Sequence, residues 1–552
     1  MNQSSTLNFA IFFASEPYST ATRIMGRQAA GKAFMKGVAR TWPRETIAGI
    51  GVGGPAGQAM YEQLSADGFK GRIHWSSLPD SQAASRAGAL YYPSPPSREL
   101  AAMRSALNPA AFSIMGVTHT LSSTTAMDEV ANLILPPFQP WDALICTSTA
   151  ARKLVTTLHE EMRRYWHQNI GATRFVDVQL PVIPLGVDAP AFASQDSDRA
   201  AARTALGLAE DEIVFLFAGR LSFHAKANPA PMYQALQKIT GEVKVICVEA
   251  GVFPNDGTRH AYATAQQSLA PDVRFLWVNG QDEDQYRKAW QGADVFVSLS
   301  DNMQETFGLT PVEAMAAGLP VVVSDWNGYQ DTVRDGIDGF RVPTVQPPAG
   351  TGADLALHHA LGIDTYDYYI GRHSLATVVE PDGIAETFRR LATQPELRKT
   401  LATAGQRRAQ QEFDWPIILK RYDELARELS TIRRACAPAV AQPWPQRADA
   451  THRFAHFSTH TLGVNWTVAA KPDAAARLTP LLTLTMVSFG VDPTLLPREA
   501  LWILLEEVIK HPGITVQALL ASTQLTTAPG MRVLAWLWKF DLVLITPNPK
   551  IG

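Results

Sequence analysis

The chain has 552 residues, 46% of them apolar and 18% charged, which is too long for one ordinary domain and apolar enough for large cores. A formal net charge of −3 gives no global attraction to nucleic acid or anionic membrane. No run reaches the roughly 18 uninterrupted apolar residues of a membrane-spanning helix, the start lacks a basic-then-apolar secretory signal, and Cys146, Cys247 and Cys436 have neither metal-ligand nor redox spacing, so a reducing, cytoplasmic setting is expected.

In chain order, short apolar runs alternate with helix-like stretches. The first set is LNFAIFF (7–13), IAGIGVG (47–53), RIHWSS (72–77), ALYYP (89–93), FSIMGVT (112–118), DALICTS (142–148) and PVIPLG (181–186). The second is EIVFLFAG (212–219), VKVICVEA (243–250), VRFLWVNG (273–280), ADVFVSLS (293–300), LPVVVSD (319–325) and GFRVP (339–343). Runs this apolar fit strands buried on both faces, and their alternation with helices fits parallel sheets. The fold class is therefore α/β, with two doubly wound, Rossmann-like domains at 1–190 and 191–435 facing a cleft. Ligands of such sheets bind beyond the carboxyl ends of the strands. Residues 436–450, with Pro438, Pro443 and Pro445, read as a linker. The segment 451–552 reads as helix, turn, short helix, helix and strand, a small, mainly helical, winged-helix-like domain. Its last helix carries only Arg532 and Lys539 as cations, so packing or an oligomer contact is expected there rather than nucleic-acid binding.

Residues 26–33, GRQAAGKA, are one residue short of a phosphate-binding loop. Ala33 stands where the Mg²⁺-holding hydroxyl belongs, and about a dozen residues separate Phe13 from Gly26, so an ATPase is not expected. A glycine-rich turn opening a helix remains a fair anion site, because free N–H groups point outward there. Along that helix Lys32, Lys36 and Arg40 share a face. This face is either solvated or docks on anionic lipid or a phosphorylated acceptor, which would give peripheral contact with the inner membrane face.

Chemistry-bearing residues concentrate in the second domain. In FLFAGRLSFHAKANP (215–229), Gly219 permits a turn, and Arg220 and Lys226 emerge at the strand's carboxyl end, as a diphosphate clamp or as surface cations. In ETFGLTPVE (305–313), Glu305 lies in a loop and Glu313 in the first turn of a helix predicted over 310–317. Thr310 and Glu313 also match a capping box, which explains Glu313 without any ligand. Glu305 has no such local explanation and is either a solvated loop residue or a ligand contact.

These stretches, with EAMAAGLPVVVSD, DGIDGFRVP, DALICTSTAARKLV and VIPLGVDAPAF, resemble the retaining GT-B glycosyltransferases of family four, the glycosyl transferases group one, over about residues 7–430. The resemblance implies transfer of a hexose from a nucleotide-diphosphate sugar to an acceptor, with retention of anomeric configuration and no metal or other cofactor. It implies that Arg220 and Lys226 hold the donor diphosphate, that Glu313 holds the ribose hydroxyls, and that Glu305 lies near the donor sugar. The backbone of Phe307, Gly308, Leu309 and Thr310 would cradle sugar and phosphate, with Gly219 in the same turn as the cations. His119, in GVTHTLSS, would face the donor sugar, and Gly26 would approach phosphate and acceptor. The acceptor, whether polysaccharide, lipid-linked glycan or small molecule, stays open, within glycan or polysaccharide biosynthesis. A catalytically silent nucleotide-sugar sensor or scaffold is the alternative.

Four features depart from the family pattern, two of them being Leu185, where the hinge segment often has Asn, and the extra tail after residue 436. Lys226 lies six residues after Arg220, where five is commoner, and residues 345–378 form an insertion. The latter contains His358, His359, Asp364 and His373, read as surface residues rather than a metal site.

Overall fold

The computed structural model describes residues 7–18, 26–193, 196–437, 440–441, 444–493 and 496–547. It divides into two compact units, Met1–Trp444 and Pro445–Gly552. The first unit holds two six-stranded parallel sheets. One comprises β1 (Ala10–Phe12), β2 (Thr46–Gly51), β3 (Arg72–Ser77), β4 (Ala89–Tyr91), β5 (Ser113–Val117) and β6 (Ala143–Ile145), in the order β3-β2-β1-β4-β5-β6. The other comprises β7 (Glu212–Arg220), β8 (Lys244–Val252), β9 (Arg274–Asn279), β10 (Val295–Ser298), β11 (Val321–Ser324) and β12 (Gly339–Val342), in the order β12-β11-β10-β7-β8-β9. Both have the doubly wound 3-2-1-4-5-6 topology, which reverses between the first and fourth strands of each sheet. Together they make the two-lobed GT-B arrangement.

The continuous apolar runs follow from burial on both faces. Along β7, Val214, Leu216 and Ala218 enter one core while Phe215 and Phe217 enter another, as the two-residue strand period requires. The expected run PVIPLG forms no strand. Pro181 and Pro184 lack N–H donors, and the segment touches the end of β6 only through an isolated bridge between Cys146 and Val182.

Two chain crossings join the lobes and pair with each other. Val187 N donates to Phe413 O at 2.8 Å, and Trp415 N donates to Val187 O at 3.1 Å. The helix Trp415–Ala435 then returns to the first lobe, although the sequence places it in the second. Trp415 and Tyr422 pack against Phe34, and Tyr422 also against Tyr91. Trp415 comes so close to Gly186 that a Cβ there would lie 2.3 Å from its ring. Arg40 binds Asp188 at 2.5 Å and Asp414 at 3.1 Å, one residue beyond each crossing, and Lys36 binds Asp188 at 2.6 Å. Two of the three cations read as a solvated or lipid-docking face thus pin the hinge.

Residues 344–379 stand on a short antiparallel pair, β13 (Thr344–Val345) and β14 (Val378–Val379), and carry the helices Ala353–Ala360 and Tyr366–Ser374. In the second unit, β15 (Thr467–Ala470) pairs antiparallel with both β16 (Ile514–Thr515) and β17 (Val543–Thr546). Helices Arg498–Lys510, Val516–Ser522 and Thr527–Lys539 close a core around Leu501, Leu505, Val533 and Leu537. The expected order is helix, turn, short helix, helix and strand; the turn is the short strand β16, and β15 and the helix Ala474–Thr483 are elements the sequence did not announce. Pro438 and Pro443 of the expected linker lie outside the described residues. Among the described residues no helix is long and apolar enough to cross a membrane.

Candidate active site

The connections leaving β7 and β10 run to opposite sides, which opens a crevice beyond the carboxyl ends of these adjacent strands. Both chemistry-bearing stretches end there. Gly219 turns the chain with φ 148°, and Arg220 closes β7. Its guanidinium donates to Ala225 O at 3.2 Å and to Gln304 Oε1 at 3.4 Å. Lys226 Nζ donates to Glu305 Oε2 at 2.5 Å. Both cations therefore point at the loop that follows β10, from residues 79 and 84 positions away.

That loop is fixed along its length. Ser300 Oγ donates to Lys226 O at 3.2 Å, Asn302 Nδ2 to His224 O at 2.7 Å, and Trp326 Nε1 to Asn302 O at 3.1 Å. Gly308 has φ 90°, and a Cβ there would lie 2.2 Å from the Tyr329 ring. Only glycine allows this approach, and it aims the first N–H groups of the helix Leu309–Ala316 outward.

Burial disfavours ionisation of Glu305. The Lys226 charge, the Lys226 hydrogen bond and the N–H groups of Phe307 and Gly308 outweigh that penalty, so its carboxyl titrates below the usual range. Glu313 is different. Burial pushes it up from 4.5 to about 7, only partly opposed by Lys226. The two carboxylates flank one lysine in opposite electrostatic settings, as functional sites often arrange.

The capping box does not form. The helix starts one residue earlier than expected, Gly308 is its N-cap, and no side chain caps it. Thr310 is the second helical residue, and its hydroxyl oxygen is shielded from solvent with no hydrogen-bond partner among the described residues. An unpartnered hydroxyl in the first turn of a helix can both accept and donate a hydrogen bond beside the free N–H groups there.

From the first lobe, His119 follows β5. Its Nε2 lies 3.1 Å from Pro93 O, and its carbonyl accepts from Thr306 Oγ1 at 2.5 Å. Thr306, the sequence neighbour of Glu305, thus reaches the backbone of His119 across the crevice. Gly26 begins the helix Gly26–Thr41 after β1, at the carboxyl end of the first sheet, and the turn before it (19–25) lies outside the described residues. Phe307 presents its ring elsewhere, against Phe413 and into a cavity of about 360 Å³ between the lobes. That cavity is lined by none of Arg220, Lys226, Glu305 and Glu313. Only the Phe307 backbone faces the acidic and basic groups.

Several contributors escaped sequence reasoning. Thr306 and Gln304 stand inside or beside the quoted motif, but their partners are 187 and 84 residues away. Tyr329 bonds Ser298 Oγ at 2.7 Å and touches Glu305, and Asp301, pushed up to about 7 by burial, keeps one oxygen without a partner among the described residues. No local pattern marks either.

Residues 198–349 match the family model described as glycosyl transferases group 1. A D-inositol 3-phosphate glycosyltransferase of Geodermatophilus obscurus is 33% identical over 174 residues, 30% of this chain and 37% of the relative. One of Mycolicibacterium gilvum is 30% identical over 220 residues, 39% of this chain and 46% of the relative. The chain spans less than half the length of these curated relatives. The solved structure of Anabaena HepE in complex with UDP and glucose aligns with 76% of this chain and 100% of that one, at 17% identity and a TM-score of 0.48.

Proposed function

We propose, from the premise that residues 198–349 belong to the glycosyl transferases group 1, that this protein transfers a sugar from a nucleotide-diphosphate donor to an acceptor hydroxyl with retention of anomeric configuration. One observation carries the reading. Lys226, ion-paired to Glu305 at 2.5 Å, stands with Arg220 by a helix mouth that offers the Leu309 and Thr310 amides and the unpartnered Thr310 hydroxyl. Two cations and a helix N-terminus are matched to a diphosphate.

In this reading Arg220, Lys226 and the amides stabilise the charge that builds on the departing diphosphate. Such preorganised electrostatics is commonly the largest catalytic term. The C1–oxygen bond to the diphosphate breaks, the acceptor oxygen bonds to C1 on the same face, and the acceptor proton passes to the leaving phosphate oxygen. Glu313 accepts from the nucleotide ribose, Glu305 and His119 hold the donor sugar, and the Thr306–His119 contact helps to exclude water that would hydrolyse the donor. The protein's own cations meet the diphosphate charge, so no metal is assigned to the step. The acceptor is a glycan or another hydroxyl compound taken up from the first-lobe side, near Gly26.

Incubation with UDP-, GDP- and ADP-sugars and a panel of acceptors tests the reading. One donor should be consumed with release of its nucleoside diphosphate, and NMR of the product should show the donor's anomeric configuration. An inverted product would remove the same-face mechanism, and failure to consume any donor would remove the enzyme.

A further inference from the structure

Two of the departures from the family pattern, the extra residue in the 220–226 turn and the 345–378 insertion, meet in space. A Cβ on Gly371, in the insertion helix Tyr366–Ser374, would lie 3.0 Å from His224 Cβ, within the turn that carries Lys226. Five residues earlier on the same helix, about 7.5 Å along its axis, the Tyr366 hydroxyl lies 2.6 Å from Ser122 Oγ and 3.4 Å from Thr120 Oγ1. Those residues belong to the first-lobe loop that begins at His119. One short helix therefore touches the diphosphate turn of one lobe and the sugar-facing loop of the other.

The helix is well anchored for such a task. Ile370 is fully buried, Thr365 caps its start, Arg372 binds the buried Asp364 at 2.8 Å, and the His359 ring stacks on Tyr369 at 4.7 Å. Besides Tyr366, the His119 loop is held by Leu121, buried in the first-lobe core, by Ser123, which caps the helix Thr124–Asn132, and by Thr124 Oγ1, 3.4 Å from His359 Nε2 of the insertion. Thr306 bonds the His119 carbonyl and Pro93 O contacts its ring, while Thr120 and Ser122 contact each other at 3.2 Å.

We propose that Tyr366 is a positioning residue for sugar transfer: its hydroxyl holds Thr120 and Ser122 across the crevice and so fixes the orientation of His119. The proposal rests on the glycosyl-transfer reading for its kinetic consequence and on the hydrogen bonds alone for its structural one. The lobe-to-lobe contacts of Thr306, of Tyr366 and of the Thr124–His359 pair then set the closed geometry in which His119 meets the donor.

Tyr366→Phe and Ser122→Ala each delete one end of the bond while keeping the packing. Hydrogen exchange of amides 119–124 should accelerate about tenfold in both variants without ligand, with the melting temperature within about 2 °C of the parent. The kcat for transfer should fall about tenfold with the donor KM within twofold, and the double variant should be no worse than Tyr366→Phe alone. Tyr368→Phe, exposed on the same helix, should match the parent in every respect. Parental exchange at 119–124 in Tyr366→Phe overturns the proposal, as does a fully additive double variant. If the parent transfers no sugar from any donor, the enzymatic reading fails by itself, and the exchange comparison still decides whether Tyr366 holds the loop.

Discussion

Replacing Lys226 by methionine separates the two tasks assigned to it. The side chains of Lys226 and Glu305 are 20% and 14% exposed, and their charged atoms are 2.5 Å apart. Removing one partner of a fully buried pair costs ~3–5 kcal/mol, because the other charge is stranded. Residual solvent on both groups lowers this to about 2–3 kcal/mol. The deficit should shrink in acid: Glu305 titrates low in the parent, so its contribution is present above the unfolded pKa and is lost as pH falls through the folded one. Donor binding should weaken as well, since a hydrogen bond to a charged group is worth ~1.5–3 kcal/mol, or roughly 10- to 150-fold in Kd. Denaturant melts and titration calorimetry with the active donor would measure the two effects. Adding Glu305→Gln should restore most of the stability, because no charge is then stranded, and none of the donor affinity. Parental donor affinity in Lys226→Met, or its recovery in the double variant, would refute the clamp.

Other substitutions probe the remaining groups at the crevice. Glu313 has its folded pKa raised from 4.5 to about 7, so its burden on stability appears as pH climbs between those values and persists above. Glu313→Gln should therefore be about 1–2 kcal/mol more stable than the parent at pH 8 and equal to it at pH 4, with weaker nucleotide binding; denaturant melts at both pH values check the sign. Thr310→Val removes the unpartnered hydroxyl at constant shape. It should leave the free protein as stable or up to about 1 kcal/mol more so, and cost about tenfold in donor affinity. Gly308→Ala would drive a methyl to 2.2 Å from the Tyr329 ring at φ 90°, and should lower stability by more than ~2 kcal/mol while abolishing turnover, read by thermal melts and the transfer assay.

What the sequence made legible follows from what is local. The doubly buried strands announced themselves, because each face of β7 needs an apolar residue, and the turn and helix motifs marked where the second sheet ends. Strand order was inferable only as a class. PVIPLG was apolar enough to look like a strand, yet its prolines cannot donate to a ladder. The basic face of the Gly26–Thr41 helix looked solvated because Asp188 and Asp414 are 148 and 374 residues from Arg40. The Thr310–Glu313 capping box failed because Gly308, in a left-handed conformation that the Tyr329 ring enforces, starts the helix earlier. The insertion read as a surface excursion for the same reason: Tyr366 meets Ser122 across 244 positions, and no window of sequence contains both.

A crystal structure with the nucleoside diphosphate of the active donor is the most direct measurement. The diphosphate oxygens should lie within hydrogen-bonding distance of Arg220, Lys226, the Leu309 and Thr310 amides and the Thr310 hydroxyl, with the ribose hydroxyls on Glu313. A nucleotide bound away from the carboxyl ends of β7 and β10, with Lys226 still engaged only by Glu305, would contradict the account.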